Sequence, residues 1–346
     1  MAFLGSLQMS IGDFGLLPPE LIRQICYNLN LDDILNLQKC HHFLELMIDN
    51  VFFVDMKILE ANCDAHGTVV SLCAPSTSTQ FSTTTASDSW KEAVYKSNRV
   101  SKLSVRRTED ARDSYVLDVI ERAELNLDEV EIVLQPGSQT SSQHSRSKIY
   151  PKLTEFIASC CRNVTRFRLE HDPSNSIEYT LQGTNATLIY TQDDDSLLQQ
   201  HFVVPLFHAL NEGRRCPSTL TLRIGWREKP VMALQAAFHA ALPRSQRSKL
   251  QVLRLDFCNN VSALSRDEIQ QILAQYAPYL NDTRQLQHLI LDLSHSKLLA
   301  SELEMLYSTI SRELPQTHRI SLYTSEYLPK ADVAQKQKHT NRVACS

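Results

Sequence analysis

The sequence predicts an α/β (α+β) protein: a small helical unit near the N-terminus, then a long region in which strand and helix alternate. Three observations carry that expectation. Apolar residues behind a pair of prolines recur at helical spacing from Leu17 to Leu29. From about residue 100 onward, short runs with strand spacing are separated by helix-period segments. Polar stretches rich in serine and threonine punctuate the chain.

The first 15 residues, "MAFLGSLQMSIGDFG", lack a basic opening and their apolar run is broken by Gly5, Ser6 and Gln8, so they are expected to be a tail rather than a signal peptide. Pro18 and Pro19 suit the first turn of a helix, where a missing N–H costs nothing, and Glu20 complements the helix dipole there. Leu17, Leu21, Ile25 and Leu29 then form a stripe that Ile22 and Cys26 widen. Asn30 can cap a second helix that opens on Asp32 and Asp33 and continues through Ile34, Leu35 and Leu37. A third helical stretch carries Phe43, Leu44, Met47 and Ile48, which closes a unit at residues 16–58. So short a segment cannot bury enough apolar surface to offset its ordering entropy, and its apolar faces must meet the rest of the chain or a partner.

Residues 59–98 contain "STSTQFSTTTASDS" and are expected to be a Ser/Thr-rich linker, as is a solvated loop at "QPGSQTSSQHSRS". Residues 99–328 hold the alternating region. Strand-like runs fall at Val100/Leu103/Val105, Leu127/Val130/Ile132, Val164/Phe167/Leu169, Leu222/Ile224, Leu250/Leu253/Leu255, Leu286/Leu289/Leu291 and Ile320/Leu322. Helix-period segments between them include Leu153, Phe156 and Ile157; Phe202, Leu206 and Leu210; Val231, Leu234 and Phe238; Ile269, Ile272 and Tyr276; and Leu303, Leu306 and Ile310. "SIEYTLQGTNATLIYTQ" alternates like a hairpin with its turn near Gly183. The polar stretch 329–346 is expected to be a disordered tail. This alternation fits either a doubly wound sheet or an αβ solenoid.

Composition narrows the function classes. The 346 residues are 42% hydrophobic with a formal net charge of -4, which gives no electrostatic reason for capture by nucleic acid or an anionic membrane. The 9 cysteines are odd in number and irregularly spaced, so reduced thiols and a cytoplasmic or nuclear location are expected. No stretch approaches a membrane span.

The pattern Leu17-Pro18, Glu20-Leu21-Ile22, Ile25, Leu29, Asp33-Ile34-Leu35 resembles the F-box, the helical module that docks onto a Skp-type adaptor in cullin-RING ubiquitin ligases. The resemblance covers about residues 16 to 58. It departs where Leu31 stands in place of a frequent proline, and around Cys40, His41 and the Phe43/Leu44 pair. The resemblance implies a substrate-recognition subunit of an SCF-type ligase, adaptor contacts from Leu17, Pro18, Glu20, Leu21, Ile25, Leu29 and Leu35, and no catalysis by the chain itself. A non-ligase scaffold, using the helical unit as a cap on a repeat domain, is the alternative.

"LQVLRLDFCNNVSAL", from Leu250 to Leu264, resembles a leucine-rich repeat of the cysteine-containing type, with Cys258 at the turn and Val261 and Leu264 leading into the helix. The other copies keep the strand leucines but not the turn residue, so the region reads as an irregular leucine-rich-repeat-like αβ solenoid with insertions. On that reading, positions alternating outward between buried leucines would meet an unknown protein substrate: Gln251, Arg254, Asp256, His288, Ile290 and Asp292.

Catalytic and cofactor motifs are not expected. The 8 glycines form no GxxxxGK[ST] or GxGxxG pattern, and neither GxSxG nor HExxH occurs. Cys26, Cys40, His41 and His42 read as ordinary helix residues rather than metal ligands, and no metal or cofactor is implied. Cys160 and Cys161 read as one buried and one half-exposed thiol, His201 and His208 as packed histidines, and Arg162, Arg166 and Arg168 as a solvated face beside Glu170 and Asp172.

Overall fold

The computed structural model describes residues 17–75, 80–84, 89–108, 111, 115–135, 143–172, 175–192, 202, 204–212, 217–226, 250–256, 265–271, 274, 286–294, 298–315 and 317–324. The expected tails at 1–15 and 329–346 lie outside these residues, as do Cys258, Val261, Leu264, Ile272, Tyr276 and the helix-period segment at Val231 to Phe238. The chain is mixed α/β and divides into two compact units, Met1–Val164 and Thr165–Ser346. The position 98/99 lies inside the first of these units.

The first unit opens with three helices: α1 (Pro19–Tyr27), α2 (Leu31–Cys40) and α3 (His42–Val51), followed by a 3-10 turn at Phe53–Asp55. The Asn30 side chain caps α2 by accepting from the Asp33 N–H at 2.8 Å, and His41 caps α3 by accepting from the Phe43 N–H at 3.1 Å. Such caps each satisfy one of the orphan donors of a helix start and are worth about 1 kcal/mol.

The described residues of the stretch 59–98, expected as a linker, hold regular structure. They form β1 (Ile58–Asp64), β2 (Gly67–Cys73), β3 (Gln80–Thr84) and α4 (Ser89–Lys96). Asp64 builds the β1–β2 turn by accepting from the N–H groups of His66 and Gly67 at 2.7 and 3.0 Å. Gly67 there has φ +146, a conformation other residues rarely adopt. The polar composition misleads because β3 has two faces: Phe81 and Thr83 are buried while Gln80, Ser82 and Thr84 face outward. Threonine is a good strand former, so a Ser/Thr-rich segment with one well-placed aromatic can be a half-buried strand.

β4 (Lys102–Thr108), α5 (Tyr115–Arg122), β5 (Glu129–Gln135) and α6 (Gln143–Cys160) complete the unit. The strand order is β3-β2-β1-β4-β5. β1, β4 and β5 run parallel, whereas β1–β2 and β2–β3 are antiparallel. One face is the core, with Leu59, Leu103 and Val130 in one aligned rung and Ala61, Val105 and Ile132 in the next, all buried. Residues 143–147, expected in a loop, are the first turns of α6.

Four aromatic rings join the helices to the sheet. Phe81 on β3 lies 4.7 Å from Phe52 and 5.6 Å from Tyr27 between ring centroids, and Phe52 meets Phe53 at 5.1 Å. α4 adds a second tie. Its Trp90 is fully buried, Lys96 reaches Glu45 Oε1 at 3.2 Å and Asp49 Oδ1 at 3.4 Å on α3, and Glu92 pairs with Lys39 of α2 at 2.9 Å. Burial works against the Lys96 charge, but the bond it donates to Glu45 and the Asp49 charge outweigh it and raise its pKa. The Glu45 carboxyl is correspondingly held low, by its bonds to Lys96 and His42.

The second unit contains β6 (Arg166–Asp172), β7 (Asn175–Gln182), β8 (Asn185–Gln192), α7 (Val204–Glu212), β9 (Thr219–Trp226), β10 (Val252–Asp256), β11 (His288–Asp292), α8 (Ala300–Glu313) and β12 (Arg319–Tyr323). β6, β7 and β8 form an antiparallel meander whose second turn places Gly183 at φ +61, as the alternation near that glycine predicts. From β8 to β12 every strand pairs in parallel with the next in the sequence. Leu220, Leu253, Leu289 and Ile320 align across four strands, and Leu222, Leu255, Leu291 and Leu322 form the rung beside them, each at most 1% exposed. Burying a side chain of this size contributes about 1.5–3 kcal/mol.

Two expectations follow for the first unit. Phe81→Ala should cost about 3–5 kcal/mol, and helix signal and intrinsic fluorescence should be lost in one urea transition. Because Glu45 titrates below its unfolded value, its contribution is present above the ordinary glutamate range and disappears as pH falls through the depressed folded value. Lys96→Met should therefore narrow the difference between the melting temperatures measured at about pH 7 and about pH 3.

Candidate functional site

The first candidate surface is the outer face of α1. Pro18 sits at the N-cap with φ -60 and ψ 150 and offers no side-chain cap. Ile22 and Cys26 turn inward, 2% and 0% exposed, and their burial orients the helix. Leu21 is then left 43% exposed, with Leu17, Ile25 and Leu29 half-buried on either side and Pro18 and Glu20 exposed. Arg23 Nε pairs with Asp55 Oδ2 at 2.7 Å, and the Tyr27 hydroxyl donates to the same oxygen at 3.4 Å. Burial and the Asp55 charge both push the Tyr27 pKa up, which keeps its hydroxyl a donor. The Arg23–Asp55 ion pair, the Tyr27 hydrogen bond and the burial of Ile22 and Cys26 together hold α1 from its inner side, so the stripe is preorganised without a partner.

Of the seven residues that the F-box resemblance places in an adaptor contact, Leu35 alone is fully buried. It supports the unit from within rather than offering a contact. Leu46, which lies outside the stripe from Leu17 to Leu29, is 46% exposed on α3. Leu44 and Ile48 point inward one turn apart, and helical geometry then puts the residue midway between them outside.

The second candidate surface is the polar face of β9 to β12. Its rungs are Thr219, Val252, His288 and Arg319; then Thr221, Arg254, Ile290 and Ser321; then Arg223, Asp256, Asp292 and Tyr323. Arg254, His288 and Ile290 stand half-exposed in this array, as strand alternation predicts. Gln251 is exposed but precedes β10, and the position aligned with His288 belongs to Val252. The expected outward row is thus shifted by one residue at its start.

Asp256 and Asp292 depart from the expected exposed row. They lie on the outer face, yet they are 1% and 6% exposed. Arg223 Nε bonds Asp256 Oδ2 at 2.8 Å, and Arg254 Nη2 bonds Asp292 Oδ2. The Ser294 N–H adds a bond to Asp292 Oδ1 at 3.3 Å. The two carboxylates stand directly opposite each other on neighbouring strands, where like charges repel, and the arginines make that arrangement tolerable. The guanidinium of Arg254 also lies 6.0 Å from the Tyr323 ring centroid. His288 Nε2 is 2.9 Å from the Ser321 hydroxyl, and burial followed by the Arg319 charge pushes its pKa down.

Other candidates are occupied otherwise. His208 is not packed but exposed, paired with Glu212 at 3.4 Å; His201 lies outside the described residues. Arg168 is neutralised by Glu170 at 2.7 Å and Glu178 at 3.6 Å. Cys161 is buried and Cys160 half-buried. Burial pushes Cys160 and Cys26 up to about 11 and pushes Cys161 well above the ordinary thiol range, which holds all three as unreactive thiols at neutral pH. Among the described residues no group of three or more His, Cys, Asp or Glu could hold a metal ion, and no helix is long and apolar enough to cross a membrane.

No family model matches the chain, and no curated protein matches it significantly.

The two kinds of residue on the β9–β12 face should separate on substitution. Asp292→Asn weakens the pairing of Arg254 at a largely buried site and should cost about 1–3 kcal/mol in urea denaturation. Gln251→Ala should stay within about 0.5 kcal/mol of the parent.

Proposed function

We propose that the chain is a substrate-recognition subunit of an SCF-type cullin-RING ubiquitin ligase. Helices α1–α3 act as an F-box that docks a Skp-type adaptor through Leu17, Pro18, Glu20, Leu21, Ile25 and Leu29. The strand array acts as an irregular leucine-rich-repeat-like region that holds a protein substrate. The chain then does no chemistry of its own. It raises the effective concentration of a bound substrate near the ubiquitin-transferring machinery.

One observation carries this reading: Leu21 is exposed and Leu17, Ile25 and Leu29 beside it are only half-buried, while their neighbours Ile22 and Cys26 are packed away. A row of apolar side chains on a rigid helix is the form that helix-mediated docking takes. The sequential parallel pairing of β8 to β12 supports a repeat array, since a doubly wound sheet reverses its strand order at a switch point.

The scaffold reading also has an observation in its favour. Phe81 on β3 and Lys96 on α4 tie the helical unit to the rest of its own unit, as a structural cap would be tied. A cap has no use for an open outer row, which is why the adaptor reading is preferred.

Leu17→Ala with Pro18→Ala, or Leu21→Asp alone, should abolish co-purification of a Skp-type adaptor while leaving circular dichroism and melting temperature nearly unchanged. Adaptor capture that survives both changes would refute the docking role.

A further inference from the structure

We infer that the β9–β12 face docks a carboxylate-rich, extended segment of the protein substrate, a step that rests on the substrate-recognition reading above. Charge on this face is layered. Its two carboxylates are sunk to 1% and 8% side-chain exposure, whereas Arg223 and Arg254, which pair with them, remain 40% and 39% exposed. Arg319 is exposed on the same face beside His288, which is half-exposed. Among the described residues of this face what a partner meets is therefore cationic, although aspartates lie beneath, since three arginines stand there with two acids. The neighbouring strand β8 adds Asn185, Thr187 and Ile189 in register and no charge. Glu178 on β7 follows, already engaged by Arg168.

The buried aspartates do more than cancel charge. Each holds one edge of a planar guanidinium, which limits the rotamers of a long side chain and lowers the entropy lost on binding an acid. Spacing selects the class of acid. Arg223 and Arg254 are one strand and two residues apart, roughly 8 Å, and Arg254 and Arg319 are two strands and two residues apart, roughly 12 Å. Cations spread at such intervals suit separate carboxylates along an extended chain, whereas a single phosphate dianion draws its donors to one point. Nucleic acid is disfavoured by the formal net charge of -4 on the chain, which opposes a polyanion at long range.

The test uses the full chain and fluorescein-labelled peptides of about ten residues, long enough at ~3.3 Å per residue to cross the strands. One peptide alternates Glu and Ser, one replaces Glu with Gln, and one carries phosphoserine at a single position among Gln and Ser. Anisotropy at low salt should show the Glu peptide binding about tenfold more tightly than the Gln peptide, with the difference fading as salt rises. Arg319→Gln should weaken the Glu peptide several-fold without moving the melting temperature, and Arg254→Lys should weaken it through loss of the planar fork. Equal binding of the Glu and Gln peptides, tighter binding of the phosphoserine peptide or of a single-stranded oligonucleotide, or indifference to Arg319→Gln would each overturn the inference. Adaptor co-purification is scored on the same variants. Retained adaptor capture with no preference for the acidic peptide defeats this inference alone, and acidic-peptide binding without adaptor capture defeats only the ligase reading.

Discussion

The contact on which the first unit depends is the packing of Phe81 against Phe52 and Tyr27. Three short helices cannot bury their apolar residues among themselves, so some face of the unit must find a larger core. Phe81 supplies it from β3, next to Phe52 at the end of α3 and Tyr27 at the end of α1. The inner side of α1 is thereby committed to the protein's own interior. Its outer side, with Leu21 at the centre, is held outward by the same packing.

That division of faces gives the functional reading its physical content. A docking helix must be rigid before it binds, or ordering it consumes part of the affinity. Arg23 and Tyr27 both anchor on Asp55, and Lys96 clamps α3, so the row is presented by a helix already fixed on its inner side. The β9–β12 face uses the same device with charge instead of rings. Buried Asp256 and Asp292 fix Arg223 and Arg254, whose guanidinium groups are what the surface presents.

Much of this was legible in the sequence where a residue pattern had one physical solution. The Asn30 cap, the strand leucines at 253, 255, 289 and 291 and the turn at Gly183 follow from local spacing, whereas spacing puts Ile22 and Cys26 on one stripe with Leu21 and only packing turns them inward. β3 was not legible, because Ser and Thr serve loops and the outer face of strands equally well, and only the burial of Phe81 separates the two. α4 and α5 were hidden for a similar reason: each is 8 residues long and gives periodicity too few turns to register. Asp256 and Asp292 were misjudged because alternation assigns a face but not a depth, and depth here depends on arginines of which Arg223 lies 33 residues away. Leu35 shows the same limit on a helix: the F-box resemblance fixes its identity while packing fixes its exposure.

Hydrogen–deuterium exchange of the full chain tests the central claim, that α1–α3 and the sheet of their unit are one cooperative body held through Phe81. The account predicts that amides of Ile34 and Leu35 in α2 exchange with the same opening free energy as those of Val70 and Leu72 in β2, and that both groups lose protection together in Phe81→Ala. Helical amides that exchange far faster than the strand amides, or that keep their protection when Phe81 is replaced, would contradict it.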